Sequence, residues 1–98
     1  MGIDLSIVIV AWNDRDVLLP AIESVYREIR GISYEVIVSD NHSKDGSADA
    51  VASRFPDARV LRNPKNLGFA GGNNAGLRLA QGRFAALLNA DTLTRAGA

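Results

Sequence analysis

The segment from residue 35 to residue 47 constrains the fold most strongly. It begins with the apolar, β-branched run Val36-Ile37-Val38, turns polar at Asp40, and reaches the turn signal Asp45-Gly46. A continuous apolar run is typical of a strand that is buried on both faces. We therefore predict a buried strand that delivers Asp40 to its carboxyl end, followed by a helix with Ser47 as its N-cap. Ligands bind at this end of the strands in open α/β sheets, although a carboxylate there can also serve only to cap the loop.

The rest of the chain alternates predicted strands with predicted helices. Short strand–helix–strand connections are right-handed and build a parallel sheet with helices on both faces. The third strand alternates charged with apolar residues, which favours an edge position. The prediction is an α/β fold with a doubly wound parallel sheet in the order 3-2-1-4. Its strands are predicted at residues 6–11, 34–39, 58–62 and 84–88, and its helices at 17–30, at 48–55, and from the glycine-rich segment 67–76 to Gln81.

Proline and glycine residues set the predicted ends of the helices. Pro20 lacks an amide hydrogen and is tolerated in a first turn, so the first helix is predicted to start near Val17. Gly31 is predicted to end that helix, and Pro56 to end the second. The third helix is predicted to stop at Gly82.

Composition excludes several classes of protein. Ninety-eight residues allow one small domain, predicted to span residues 1–98. The 11 basic and 11 acidic side chains cancel, so no nucleic-acid partner is expected. There are no cysteines, which excludes disulfides and thiolate metal sites. The longest apolar run, at residues 7–12, is far too short to span a bilayer, and no basic region of a signal peptide precedes it. The expected location is the cytoplasm, or the cytoplasmic face of a membrane.

Polar residues follow all four predicted strands. Because the carboxyl ends of parallel strands lie at one edge of a sheet, Asp40 and Asp91 are expected to face one crevice. Beside them, the glycine-rich segment is predicted to be a loop that exposes backbone N–H groups at a helix N-terminus, which favours phosphate groups. The alternative for these glycines is a tight turn with close packing of helix on sheet. The polar pairs at the strand ends are Trp12-Asn13, Asp40-Asn41, Arg62-Asn63 and the segment 89–91.

The glycine spacing excludes two common nucleotide-binding motifs. The glycines stand at positions 68, 71, 72 and 76, so neither G-x-x-x-x-G-K-[ST] nor G-x-G-x-x-G is present. The first strand-to-helix turn contains no glycine at all. A P-loop NTPase and a Rossmann dehydrogenase are therefore disfavoured.

Four segments together resemble the family 2 glycosyltransferases of the GT-A fold. Residues 6–13, Ser-Ile-Val-Ile-Val-Ala-Trp-Asn, resemble the family's opening strand, and residues 38–47 match its second-strand motif. Residues 66–76, Asn-Leu-Gly-Phe-Ala-Gly-Gly-Asn-Asn-Ala-Gly, resemble a loop of its rhamnosyltransferase-like members. Residues 87–92, Leu-Leu-Asn-Ala-Asp-Thr, stand where the family carries a D-x-D metal motif. The resemblance implies the Rossmann-like, nucleotide-binding part of a GT-A fold, ending just after that motif.

The resemblance also implies roles for individual residues. Asp40 would accept a hydrogen bond from the imide N–H of uracil or thymine, and Asp91 would hold Mg²⁺ or Mn²⁺ against the diphosphate. Two positions depart from the usual pattern, because Ala11 replaces a hydroxyl residue and Asn89 replaces the first aspartate of D-x-D. The implied nucleotide-binding positions are Ala11, Trp12, Asn13, Asp40, Gly71, Gly72, Asn73, Asn74 and Asn89.

The implied reaction is inverting transfer of a hexosyl or rhamnosyl unit from a UDP- or dTDP-sugar to a glycan or lipid-linked acceptor. The family's catalytic base would lie beyond Ala98, so no catalytic residue is predicted here and the 98-residue chain is not expected to transfer sugar by itself. His42, the only histidine, is predicted to be a solvated loop residue.

The sequence leaves two alternative functions to consider and also predicts self-association of the chain. The chain could be a non-catalytic nucleotide- or protein-binding module of the same fold. A response-regulator-like receiver fits poorly, because no acidic cluster follows strand one and no lysine occurs late in the chain. The strand at residues 84–88 is uncharged and would form an exposed edge, so self-association through it is expected.

Overall fold

The computed structural model describes residues 2–89, which form four strands and three helices in strict alternation. Asp91 lies outside the described residues. In chain order the elements are β1 (Ile3–Ala11), α1 (Arg15–Glu28), β2 (Tyr34–Asp40), α2 (Ser47–Arg54), β3 (Arg59–Arg62), α3 (Gly68–Leu79) and β4 (Gly82–Asn89).

The strands form one parallel sheet in the order β3-β2-β1-β4, which confirms the predicted fold class and strand order. β1 pairs with β2 on one side, where Ile7 lies opposite Val36, and with β4 on the other, where Ile7 lies opposite Ala86. β3 lies at one edge, as predicted, and β4 lies at the other edge of the described sheet. All four carboxyl ends therefore meet at one edge of the sheet.

Helices cover both faces of the central strands. On one face α1 and α2 pack over alternate residues of β1 and β2, in a core with almost no exposed surface. On the other face α3 crosses β1 and β2. The buried members of the first core are Ile7, Ile9, Ala11, Leu18, Ala21, Ile22, Val25, Val36, Val38 and Val51.

The start of α1 differs from the prediction. The helix begins at Arg15, two residues before Val17, and Pro20 lies inside it. Pro20 has no N–H to donate to the carbonyl group of Asp16, four residues earlier in the helix. Both Pro20 and Asp16 are exposed to water. A proline on the solvent side of the helix is therefore accommodated without a buried unpaired group.

The start of α2 also differs, because Ser47 is the first helical residue and not the N-cap. The N-cap is Gly46, whose positive φ of 82° suits glycine. The capping group comes from Asp45, whose Oδ1 accepts a hydrogen bond from the Ser47 backbone N–H at 3.0 Å.

The glycine-rich segment is a helix, and its prediction as a loop is wrong. α3 begins at Gly68 and ends at Leu79, two residues before Gln81. A Cβ atom on Gly72 would lie 2.9 Å from Val10 Cγ1, and one on Gly76 would lie 2.5 Å from Val8 Cγ1. Glycine lowers helix propensity, but these glycines let α3 approach the sheet closely, which was the alternative explanation left open by the sequence.

A buried polar network joins all four strands at the opposite edge of the sheet. Glu35 on β2 accepts hydrogen bonds from Ser6 Oγ at 2.6 Å and from the backbone N–H of Gln81, just before β4, at 2.7 Å. Arg59 Nη1 on β3 donates to Glu35 Oε1 at 3.3 Å and to the carbonyl oxygen of Leu79, the last residue of α3, at 2.8 Å. The network ties the amino ends of the strands together.

Burial by itself would raise the pKa of the Glu35 carboxyl. The hydrogen bonds from Ser6, Gln81 and Arg59, with the positive charge of Arg59, outweigh burial and hold the pKa of Glu35 below its usual value. Among residues 2–89, no helix is long and apolar enough to cross a membrane.

Candidate functional site

A cavity of about 250 Å³ lies at the carboxyl edge of the sheet. It is bounded by the ends of β1 and β4, the residue that follows β2, and the start of α3. This is the edge where ligands bind in open α/β sheets. The lining residues are Val10, Trp12, Asp14, Asn41, Asn66, Gly68, Phe69 and Asn89.

Asp40 lies at this edge but is almost completely buried, with 3% of its surface exposed. Its Oδ1 accepts a hydrogen bond from Ser43 Oγ at 2.6 Å, and its Oδ2 accepts one from the Ser43 backbone N–H at 3.0 Å. Asp40 therefore caps the loop after β2. Each carboxylate oxygen has a second acceptor position, so this role leaves acceptor capacity for a ligand.

The loop after β1 is joined to the loop after β2. The Asn13 backbone N–H donates to Ser43 Oγ at 2.9 Å, and Asn13 Oδ1 accepts from the Lys44 backbone N–H at 2.7 Å. Asn13 has a positive φ of 49°, and His42 one of 65°. His42 is exposed, as predicted. Asn13 thus positions the loops, and its predicted contact with a nucleotide stays a prediction.

Asp45 caps two helices at once. Its Oδ2 accepts a hydrogen bond from the Arg15 backbone N–H, the first of α1, at 3.0 Å. Its Oδ1 accepts from both the N–H and the hydroxyl of Ser47 at the start of α2. Burial alone would raise the pKa of Asp45, but these hydrogen bonds outweigh it and hold the pKa below its usual value. Residues of two loops are therefore held in one arrangement.

Asp14 is a site residue that the sequence analysis did not single out. It lines the cavity and also a neighbouring one of about 500 Å³, which Asp45 lines as well. Within residues 2–89 its buried Oδ1 has no hydrogen-bond partner. Burial raises the pKa of the Asp14 carboxyl above its usual value, and the negative charges of Asp45 and Asp40 add to that shift.

Two large aromatic side chains line the cavity and remain exposed. Trp12, at the end of β1, is 53% exposed, and Phe69, in the first turn of α3, is 56% exposed. Phe69 was also not identified from the sequence, because its segment was predicted to be a loop. The only signal for it was an isolated aromatic residue between the glycines at positions 68 and 71.

The predicted residues of α3 fall into two groups. Gly72 and Asn73 are buried, and no group of the described part of the chain forms a hydrogen bond with Asn73 Oδ1. Gly71 is partly exposed and Asn74 is exposed, in the first half of the helix. Gly72 is thus buried by the packing of α3 on the sheet. The predicted contacts of all four residues with a nucleotide stay predictions.

Asn89 and Ala11 mark the ends of β4 and β1 at the same edge. Asn89 lines the cavity, whereas Ala11 is completely buried in the core. Within residues 2–89, no group of three or more His, Cys, Asp or Glu side chains is placed to hold a metal ion.

The chain matches the model of the family described as "Glycosyl transferase family 2" over residues 6–96. It is 37% identical over 94 residues to the succinoglycan biosynthesis protein ExoO of Rhizobium meliloti (strain 1021), covering 94% of this chain and 26% of that protein. It is 32% identical over 89 residues to the Escherichia coli UDP-Glc:alpha-D-GlcNAc-diphosphoundecaprenol beta-1,3-glucosyltransferase WfaP, covering 89% of this chain and 35% of that protein.

Solved glycosyltransferases share the fold. The mannosyltransferase PcManGT from Pyrobaculum calidifontis, in complex with GDP-Man and Mn²⁺, superposes with a TM-score of 0.80 at 24% identity, covering 93% of this chain and 28% of that one. Glucosyl-3-phosphoglycerate synthase from Mycobacterium tuberculosis, in complex with Mn²⁺, UDP and glucosyl-3-phosphoglycerate, superposes with a TM-score of 0.72 at 20% identity, covering 91% and 34%.

The chain spans about a quarter to a third of the length of these relatives. The match to the family model, in contrast, extends over nearly all of the chain, from residue 6 to residue 96, and includes the strand ends and the α3 segment that form the cavity. The fold is the Rossmann-like α/β fold of the GT-A glycosyltransferases, and the chain belongs to glycosyl transferase family 2.

Proposed function

We propose that this chain is the donor-binding part of a glycosyltransferase that takes a hexosyl or rhamnosyl unit from a UDP- or dTDP-sugar. The observation that carries the proposal is the cavity at the carboxyl edge of the sheet, where Trp12, Asn89 and the first turn of α3 come together in a chain of this family. Transfer to a glycan or lipid-linked acceptor is part of the proposal for the whole protein. The names of two relatives, one in succinoglycan biosynthesis and one a UDP-Glc-dependent glucosyltransferase, support it.

Two features of the cavity suit a nucleoside diphosphate. Trp12 offers a large exposed ring on which a base can stack. The first backbone N–H groups of α3, near Gly68, carry the partial positive charge of a helix N-terminus, which favours phosphate groups. In this proposal Asp40, at the same edge of the sheet, supplies the acceptor that distinguishes an imide N–H from the edge of adenine.

Replacing Asp40 with asparagine is expected to weaken UDP binding about tenfold and to leave ADP binding unchanged, because a charged acceptor for the imide N–H is lost. Isothermal titration calorimetry with UDP, dTDP and ADP measures both effects. Asp57→Asn is the matched control, since Asp57 is an exposed acid in the turn between α2 and β3, away from the cavity.

Thermal unfolding must accompany this titration, because Asp40 also caps the Ser43 loop. If UDP and ADP bind the unaltered chain equally, or if Asp40→Asn leaves the UDP:ADP affinity ratio unchanged, Asp40 does not select the base. The alternative of a non-catalytic protein-binding module would then gain support.

We also propose that Mg²⁺ or Mn²⁺ binds together with the donor. The fit is partial within residues 2–89, where Asn89 at the cavity offers one amide oxygen of the kind that hard cations accept. Asp91 would add a carboxylate, and the diphosphate would complete the set. A metal ion bound there would stabilise the negative charge of the leaving nucleoside diphosphate. In relatives of this fold, Mn²⁺ accompanies GDP-Man in one complex and UDP in another.

The 98-residue chain is further expected to associate through β4. Phe84 is 67% exposed and Leu87 is 46% exposed, and their odd spacing puts them on opposite faces of this edge strand. An edge strand with apolar residues on both faces is a template for pairing with another chain.

We expect dimers or larger assemblies in sedimentation velocity experiments at increasing concentration, and a shift toward monomer in Leu87→Lys. Ile32→Lys is the matched control, because Ile32 is equally exposed but lies in the turn between α1 and β2. A chain that stays monomeric at high concentration would contradict this proposal without affecting the donor-binding one.

A further inference from the structure

We propose that Phe69 is a second stacking surface for the base of the nucleotide, in addition to Trp12. The inference rests on the proposed donor-binding function. It adds to the donor site a residue that the sequence motifs did not identify. Phe69 lines the same cavity as Trp12 but belongs to a different element, the first turn of α3. A planar ring that enters the cavity therefore meets aromatic surface from both β1 and α3.

The exposure of Phe69 has no explanation in the packing of the described residues. Its side chain is 56% exposed, and it takes no part in the ring contacts, which join Tyr26 to Tyr34 and Phe55 elsewhere in this part of the chain. A phenylalanine ring that remains in contact with water forgoes the favourable free energy of burying its apolar surface. A ligand that covers the ring would recover this free energy.

The backbone just before Phe69 is held by hydrogen bonds at both polar groups of Gly68. The preceding residue, Gly68, has a φ of +78°, and its N–H donates to Asn66 Oδ1 at 2.8 Å. Its carbonyl oxygen accepts a hydrogen bond from Asn41 Nδ2 at 3.0 Å. Asn41 Oδ1 in turn accepts from Asn63 Nδ2 at 2.9 Å, in a buried pair. Phe69 is therefore exposed but held in place, as expected for a group organised before its ligand binds.

The chemistry of the cavity limits what Phe69 can recognise. Among the described residues, the lining offers the amides of Asn41, Asn66 and Asn89 and the carboxyl group of Asp14, and no basic side chain. This combination suits a flat, neutral ring with polar edges. Because every base has a π-face, stacking on Phe69 contributes to affinity without distinguishing one base from another. Its effect is thus separable from that of Asp40.

The experiment measures nucleotide binding through the fluorescence of Trp12, the only tryptophan of the chain. The probes are UDP and GDP, which carry a base, and pyrophosphate, which does not. We expect Phe69→Ala to weaken UDP and GDP about tenfold each, with their ratio unchanged, and to leave pyrophosphate binding unaltered. Phe84→Ala, at an equally exposed phenylalanine on β4, is the matched control and should change none of these values.

Two further variants separate stacking from general apolar contact. Phe69→Tyr should keep the affinity of the unaltered protein, whereas Phe69→Leu should lose most of what Phe69→Ala loses. Circular dichroism melts of each variant establish that α3 remains folded. This comparison of aromatic with aliphatic variants stays decisive even when pyrophosphate binds too weakly to measure.

The outcomes distinguish this inference from the proposed function. If UDP binds the unaltered protein and Phe69→Ala binds it equally well, Phe69 is not a stacking surface and the donor-binding proposal stands. Equal losses for UDP and pyrophosphate, or equal affinities of the Leu and Tyr variants, would likewise overturn the inference. If neither UDP nor GDP binds the unaltered protein, both proposals fail.

Discussion

Glu35→Ala is expected to lower the free energy of unfolding by about 3 kcal/mol, a substantial part of the stability of a small domain. The substitution leaves the Ser6 hydroxyl, the Gln81 N–H and the Arg59 guanidinium without their common acceptor. Glu35 itself is 9% exposed, so water replaces these contacts poorly. Chemical denaturation followed by circular dichroism measures the loss.

The pH dependence of this loss tests whether the charge is responsible. Because the hydrogen bonds and Arg59 lower the pKa of Glu35 in the folded chain, its carboxylate stabilises the fold fully above its unfolded pKa of about 4.3. The stabilisation is lost as the pH falls through the lower, folded pKa. The difference between the unaltered chain and Glu35→Gln should therefore shrink in acid.

Glu28→Ala is the control for Glu35→Ala, since the Glu28 side chain is 69% exposed and pairs with its neighbour Arg27 at the surface. We expect a change below about 1 kcal/mol there. A Glu35→Ala variant as stable as the Glu28 control would mean that the network at the amino edge of the sheet contributes no net stability.

Gly76→Ala is expected to lower the free energy of unfolding by about 2–3 kcal/mol. The added Cβ would lie 2.5 Å from Val8 Cγ1, a distance that no relaxed structure permits, and Val8 is completely buried at the centre of the sheet. α3 must therefore move away from β1. Asn74→Ala, on the exposed side of the same helix, should be neutral or slightly stabilising because alanine has the higher helix propensity.

A double-mutant cycle identifies the cause of the Gly76 effect. Val8→Ala removes the methyl group that the new Cβ meets, so Gly76→Ala should cost less in the Val8→Ala background than in the unaltered chain. Equal costs in the two backgrounds, measured by denaturant titration, would show that close packing against Val8 is not what requires glycine at position 76.

The sheet could be predicted from the sequence because its strands carry strong local signals. Consecutive apolar residues in β1 and β2 indicated strands covered on both faces, and the alternating charges of β3 indicated an edge. The order 3-2-1-4 was predicted from the alternation of strands with helices and from the two runs covered on both faces, and the structure has this order. Each of these strand signals lies within a few consecutive residues of the sequence.

The helix at the glycine-rich segment could not be predicted in the same way. Glycine disfavours a helix locally, and only the approach of α3 to Val8 and Val10 explains why the segment is helical. Because the segment was predicted to be a loop, Phe69 in the first turn of α3 was not identified as a site residue. The position of Asp40 at the end of β2 followed from the strand pattern, whereas Phe69 and Asp14 lie in the cavity because of how α3 and the loop after β1 pack.

The central position of β1 determines when the sheet can be completed during synthesis. β1 can pair with β2 soon after both have left the ribosome. Its other neighbour, β4, in which Ala86 lies opposite Ile7, is synthesised only after α2, β3 and α3. Until then the apolar strand Ile7–Ile9 has one open side, a period in which a nascent chain can pair with the wrong strand. Pairing between strands that are far apart in the sequence is slow to form, which lengthens this period.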